Sequence, residues 1–150
     1  MVTAVLLSGC SGVKTSAQSG SAPPGVFVDY QRNGGVAGFN DRLVIFDNGV
    51  TLISGRMVNT EGRLNQTDLE RIGSIFAESK FSSLEGNYTS RHDGVDIIQY
   101  TISFGGKTVH TEDTAIPPAL QPIIEEMDRI LSLGTNSGQS GSPLSRFTRQ

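Results

Sequence analysis

The stretch Arg42-Leu43-Val44-Ile45-Phe46-Asp47-Asn48-Gly49-Val50-Thr51-Leu52-Ile53-Ser54 sets two apolar, β-branched runs on either side of Asp-Asn-Gly. Val, Ile and Phe favour pleated backbone, and Asn-Gly tolerates the positive φ of a tight reversal. The stretch therefore predicts an antiparallel hairpin with a type I′ turn. A lone hairpin is marginal in water, so it needs more strands beside it and an apolar layer across one face.

The flanking sequence supplies both. Upstream, Val26, Val28 and Tyr30 alternate with Phe27, Asp29 and Gln31, the period of a strand with one better-buried face, and the glycine-dense turn Asn33 to Gly38 leads into the hairpin. Downstream, Ile98, Tyr100, Ile102 and Phe104 fall on one face, Gly105-Gly106 turns the chain, and Lys107 to Glu112 forms a partner strand. Asp96 and Tyr100, spaced by four, fall on one face of the same strand.

Two helices are predicted. Thr67 with Glu70 has capping-box spacing, and Leu69, Ile72, Ile75 and Phe76 share one side of a helix from about Asp68 to Ser79. Phe81 and Leu84 continue its packing, and Glu85 to Gly94 reads as a polar loop. Ile116-Pro117-Pro118 stops the last strand, after which Leu120, Ile123, Ile124, Met127, Ile130 and Leu131 form an apolar stripe with Glu125, Glu126 and Asp128 turned to water. The fold class expected is α+β: an antiparallel sheet of four to five strands with two helices packed on one face.

The chain has 150 residues, enough for one globular domain. Twelve Lys and Arg against fifteen Asp and Glu show no basic clustering, so nucleic acid is not an expected partner. The one cysteine excludes an intrachain disulfide and a Cys-based zinc cage.

That cysteine closes the short apolar start of the chain. Leu7-Ser8-Gly9-Cys10 resembles a bacterial lipobox, which implies a signal peptide over residues 1–10, lipidation of Cys10, and a place on the extracytoplasmic side of the cell envelope. Residues 11–25 turn to Ser, Gly, Ala and Pro and read as a flexible tether with an r.m.s. reach of roughly 20 Å. Residues 132–150 are again rich in Ser and Gly and read as a disordered tail, leaving a folded unit over residues 26–131.

Catalytic machinery is not legible. There is no Gly-x-Ser-x-Gly elbow, and neither His92 nor His110 stands beside a serine motif. His110, Glu112 and Asp113 are the nearest approach to a metal-ligand set but read as a solvated strand end. Arg91 to Asp96 lacks the alternating carboxylates of a calcium loop. No metal and no cofactor are implied.

The order Tyr30-Gln31-Arg32-Asn33-Gly34-Gly35-Val36-Ala37-Gly38, a helix ending near Phe81, Asp96 with Tyr100, and Ile116-Pro117-Pro118-Ala119-Leu120-Gln121-Pro122-Ile123 opening the last helix is similar to the emfourin family. Those are small inhibitors of thermolysin-type metalloproteases, and the resemblance runs from Val26 to Leu131. It implies a protein without catalytic groups of its own, whose loops complement a protease cleft by bringing a carboxylate or backbone carbonyl toward the metal or by filling the substrate groove. The partner implied is a secreted or envelope metalloprotease. The leading contact loop is Asn33, Gly34, Gly35, Val36, Ala37, Gly38 and Asn40; the second is the segment with Asp113, Ile116 and Pro117. The same residues also suit a non-catalytic, lipid-anchored binding or structural module of the envelope.

Overall fold

A computed structural model describes residues 24–56, 59–90 and 96–138. The expectations for the lipobox and Cys10, for residues 11–23 of the tether, for the 91–95 segment and for the tail from residue 139 lie outside the described residues.

The strands are β1 (Val26–Gly34), β2 (Phe39–Phe46), β3 (Val50–Ser54), β4 (Asn59–Arg63), β5 (Asn87–Tyr88), β6 (Ile98–Phe104) and β7 (Lys107–Glu112). The helices are α1 (Gln66–Glu78), between β4 and β5, and α2 (Gln121–Gly138), after β7. The class is α+β as expected, but the sheet has seven strands in the order β4-β3-β2-β1-β6-β7-β5. All neighbours are antiparallel except β5 and β7. The two additional strands, β4 and β5, lie at the edges, and neither carries an apolar alternation. Asn59-Thr60-Glu61-Gly62-Arg63 carries no apolar alternation and pairs because β3 offers it a free edge. Asn87–Tyr88, inside the expected loop, is only two residues long.

Register explains the core. Ile53 pairs with Leu43, Leu43 with Tyr30, Tyr30 with Ile102 and Ile102 with Val109, one buried row across five strands. Opposite it lie Leu69, Ile72 and Phe76 of α1 and Ile123, Ile124, Met127, Ile130 and Leu131 of α2, all buried. Phe104 stacks on Phe76 at 4.1 Å between ring centres, with Phe27 and Phe81 edge-on around them, clamping α1 to the sheet.

Several local expectations shift. A β-bulge between Val26 and Val28 interrupts the alternation of β1: Val26 is 60% exposed, whereas Phe27 packs on Phe104 and reaches Gly73 of α1. The β2–β3 turn is not type I′, because among its three residues only Gly49 takes a positive φ, 84°. Its N–H donates to the Phe46 carbonyl at 2.9 Å, and the Asn48 carboxamide accepts from Val50 N at 3.0 Å, closing an Asx turn instead. The capping box of α1 sits two residues early, on Asn65 and Asp68 rather than Thr67 and Glu70. Gly25, placed with the tether, exchanges hydrogen bonds with Asp47 through both its N–H and its carbonyl.

The last helix differs most. α2 continues past Leu131 to Gly138, and two of the acids assigned to water face the protein. Glu126 is 8% exposed, accepting from Arg71 of α1 at 2.7 Å and from Arg129 at 2.7 and 3.0 Å. Asp128 turns to β1. Charge pairing lets these carboxylates lie against an apolar stripe that by periodicity alone would exclude them.

Ile124, 6% exposed beneath the sheet, gives the packing test. Ile124→Ala should cost about 2–5 kcal/mol in urea unfolding, as large-to-small changes in a packed core do.

Candidate functional site

The turn joining β1 to β2 carries the leading candidates. Asn33 pairs with Asn40 and with Gln99, and Gly34 pairs with Phe39 and Ile98, so β1 is held on both sides up to the reversal. Gly34, Gly35 and Gly38 have φ of 96°, 70° and 62°. A Cβ on Gly34 would stand 2.5 Å from the Ile97 carbonyl oxygen, so this position requires glycine for space as well as conformation. Gly35 N donates to Ile97 O at 3.0 Å, Val36 N to the Asp96 carboxylate at 2.5 Å, and Gly38 N to Gly35 O at 2.8 Å. Arg56, just beyond β3, donates to the Gly38 carbonyl at 3.2 Å. Val36 and Ala37 at the tip are exposed, as is Asn40.

The second candidate segment begins where β7 ends. Gln99 faces Asn33 on one side and Glu112 on the other, so the β1–β2 turn and the 113–118 segment leave the same end of the sheet two strand spacings apart, about 10 Å. Asp113 opens a short 3-10 turn, and its buried Oδ1 has no hydrogen-bond partner among the described residues. Ile116 packs against the core, and Pro117 is half-buried with its carbonyl accepting from Leu120 N at 2.9 Å. The accessible part of this segment is therefore Thr114 and Pro118, while Ile116 and Pro117 seat α2.

Glu112 accepts from the N–H and the hydroxyl of Ser90, whose hydroxyl also accepts from Thr114. His110 engages the Thr101 hydroxyl at 3.1 Å. Among the described residues no three His, Cys, Asp or Glu side chains converge as a metal set would require.

Behind the turn lies a polar cluster that periodicity did not suggest. Arg32 donates through Nε to Asp41 at 2.8 Å and through Nη1 to Asp128 at 3.1 Å, and stacks 4.2 Å above the Phe39 ring. The Tyr30 hydroxyl donates to the same Asp128 oxygen at 2.8 Å, and the Tyr30 and Tyr100 rings stack at 6.2 Å. The signal that was present is the spacing: Val28, Tyr30 and Arg32 share the inward face of one strand. Beside the cluster a cleft of about 260 Å³ opens between Phe39, Ile53, Arg56 and Leu131.

Asp96 is the other residue whose role differs. It precedes β6, which begins at Ile98, so it shares no strand face with Tyr100 and instead caps the β1–β2 turn from outside. Tyr100 is buried in the core.

No protein-family model matches the chain, and no curated protein matches it significantly.

Burial first, and then the adjacent Asp128 carboxylate, push the Tyr30 hydroxyl far above the usual phenol range; Tyr100 moves the same way, chiefly through burial. An unfolded tyrosine loses its proton near about pH 10, whereas the folded state keeps both. Stability present below about pH 10 should therefore be lost as pH rises above it. Tyr30→Phe should cost about 1–3 kcal/mol at neutral pH, since it removes a hydrogen bond to a carboxylate. It should also make the alkaline loss shallower than in wild type, which urea midpoints at neutral pH and about pH 11 will measure.

Proposed function

We propose that the chain is a proteinaceous inhibitor of thermolysin-type metalloproteases, held at the cell envelope through a lipid on Cys10. The observation that supports it best is the β1–β2 turn, a narrow projection whose backbone is fixed by bonds from β1's own neighbours, from Asp96 and from Arg56. A protein that blocks a cleft needs little else: ordering a loop on binding costs free energy, and a loop ordered beforehand avoids that cost. The 113–118 segment at the same sheet end gives a second flank, so the contact is a broad edge rather than a single point. The resemblance carried by Tyr30 to Gly38 and by Ile116 to Ile123 supplies the protease class.

The partner is thus a secreted or envelope metalloprotease, approached with the sheet end leading. Anchoring is compatible with that approach, because the sequence ahead of Gly25 contains enough Gly and Ser for a tether of roughly 20 Å. No helix among the described residues is long and apolar enough to cross a membrane. The anchor in this reading is Cys10, at the end of the lipobox-like stretch.

The full chain should inhibit peptide hydrolysis by members of a thermolysin-type panel, competitively with substrate, and leave serine and cysteine proteases untouched. Absence of inhibition across the panel would favour the envelope binding module. Anchoring is tested separately: with two or three acyl chains on Cys10 the protein should partition into detergent, and Cys10→Ser should move it to the aqueous phase. Equal partitioning of both forms would remove the lipid from the account.

A further inference from the structure

Four large apolar side chains among the described residues are strongly exposed: Val26, Val36, Leu52 and Leu133. Single exposed aliphatics are common and need no explanation by themselves. Val36 differs in where it stands. It is 84% exposed, the most exposed of the four, and sits at the tip of a turn whose backbone cannot move freely. Its own N–H is taken by Asp96, that of Gly35 by Ile97, that of Gly38 by Gly35, and the Gly38 carbonyl by Arg56.

The turn is also bare. From Gly34 to Gly38 the chain reads Gly-Gly-Val-Ala-Gly, so Val36 is the only side chain larger than a methyl group on the projection. A surface that merely reversed the chain would gain from a polar residue there, as turns usually have. A slim, rigid finger ending in one branched aliphatic group instead suits a narrow apolar recess whose walls close round bare backbone. Such an anchor brings apolar burial at low ordering cost, the combination that concentrates binding energy in a few interface residues.

We infer that Val36 is the anchor of the inhibitory contact, filling an apolar subsite of the protease cleft about one branched side chain deep, and that Asp96 is the positioning residue that holds it presented. This rests on the inhibitor reading above. Asp96 acts through the Val36 amide and does not itself enter the subsite. Its carboxylate replaces the water that would otherwise satisfy that N–H, and keeps the tip from sampling other conformations before contact.

The test uses the full chain and a thermolysin-type protease that the wild type inhibits. Removing methyl groups from an apolar pocket typically costs 10- to 200-fold, so Val36→Ala should raise the inhibition constant by about that much and Val36→Asp by more. Val36→Leu should keep most of the inhibition. Melting temperatures of all three should match wild type, because the side chain is 84% exposed. Asp96→Ala should weaken inhibition several-fold and speed amide exchange at Val36, whereas Asp96→Asn, whose carboxamide oxygen still accepts the hydrogen bond, should restore both. If Val36→Asp inhibits as well as wild type, Val36 is not the anchor although the inhibitor reading stands. If Asp96→Ala inhibits as wild type does, Asp96 has no positioning role. If the wild type inhibits no member of the panel, the inhibitor reading fails and this inference fails with it.

Discussion

Strand β1 is hydrogen-bonded along both edges, to β2 from Val28 to Gly34 and to β6 over the same residues, and the rest of the molecule hangs on that double pairing. A strand in this position has no freedom to slip, because a shift of one residue would turn Tyr30 outward and Asp29 inward, losing the buried row on both sides at once. The two-sided register therefore fixes where the chain must reverse. It places the reversal at Gly34, against the Ile97 carbonyl, and makes the turn an extension of the most constrained strand in the sheet. A projecting loop is ordinarily the least ordered part of a domain. Here its base inherits the rigidity of the centre.

Helix α2 is oriented by charge as much as by apolar packing. Its buried stripe, Ile123, Ile124, Met127, Ile130 and Leu131, sets the face it turns to the sheet, and polar pairs on either side of that stripe add direction. Asp128 with Tyr30 and Arg32, and buried Glu126 with Arg71, favour the rotation in which both carboxylates keep their partners. Desolvation offsets most of what such pairs contribute to net stability. Their contribution is directional: they tie α2 to β1 on one side and to α1 on the other. Arg32 joins this tie to the base of the turn through Asp41 and Phe39, so the helix and the candidate site share one polar cluster.

The parts of this architecture that were legible in the sequence are those written in apolar periodicity. The inward face of β6, the stripe of α2 and the Leu69, Ile72 and Phe76 face of α1 all follow from spacing, because burying a face forces a repeat into the chain. The edge strands were hidden, since β4 and β5 pair through backbone groups that every residue carries. The bulge at Phe27 was hidden for a related reason: one inserted residue breaks a two-residue period without altering composition. At the candidate site, the glycines announced a reversal but not what would brace it. Asp96 and Arg56 reach the turn from segments about 60 and 20 residues away in the chain, and such meetings exist only once the strands have been paired.

The outermost strands have a bearing on how copies of this domain treat one another. A sheet left open at its sides offers rows of amide and carbonyl groups to any other extended chain, the usual route to uncontrolled stacking. At one side the offering strand is Asn59-Thr60-Glu61-Gly62-Arg63, where a newcomer would desolvate two opposite charges and find no apolar side chain to cover. At the other it is Asn87–Tyr88, too short for a ladder to take hold. Both flanks thus discourage recruitment of further strands, and the sheet ends where its own sequence ends it.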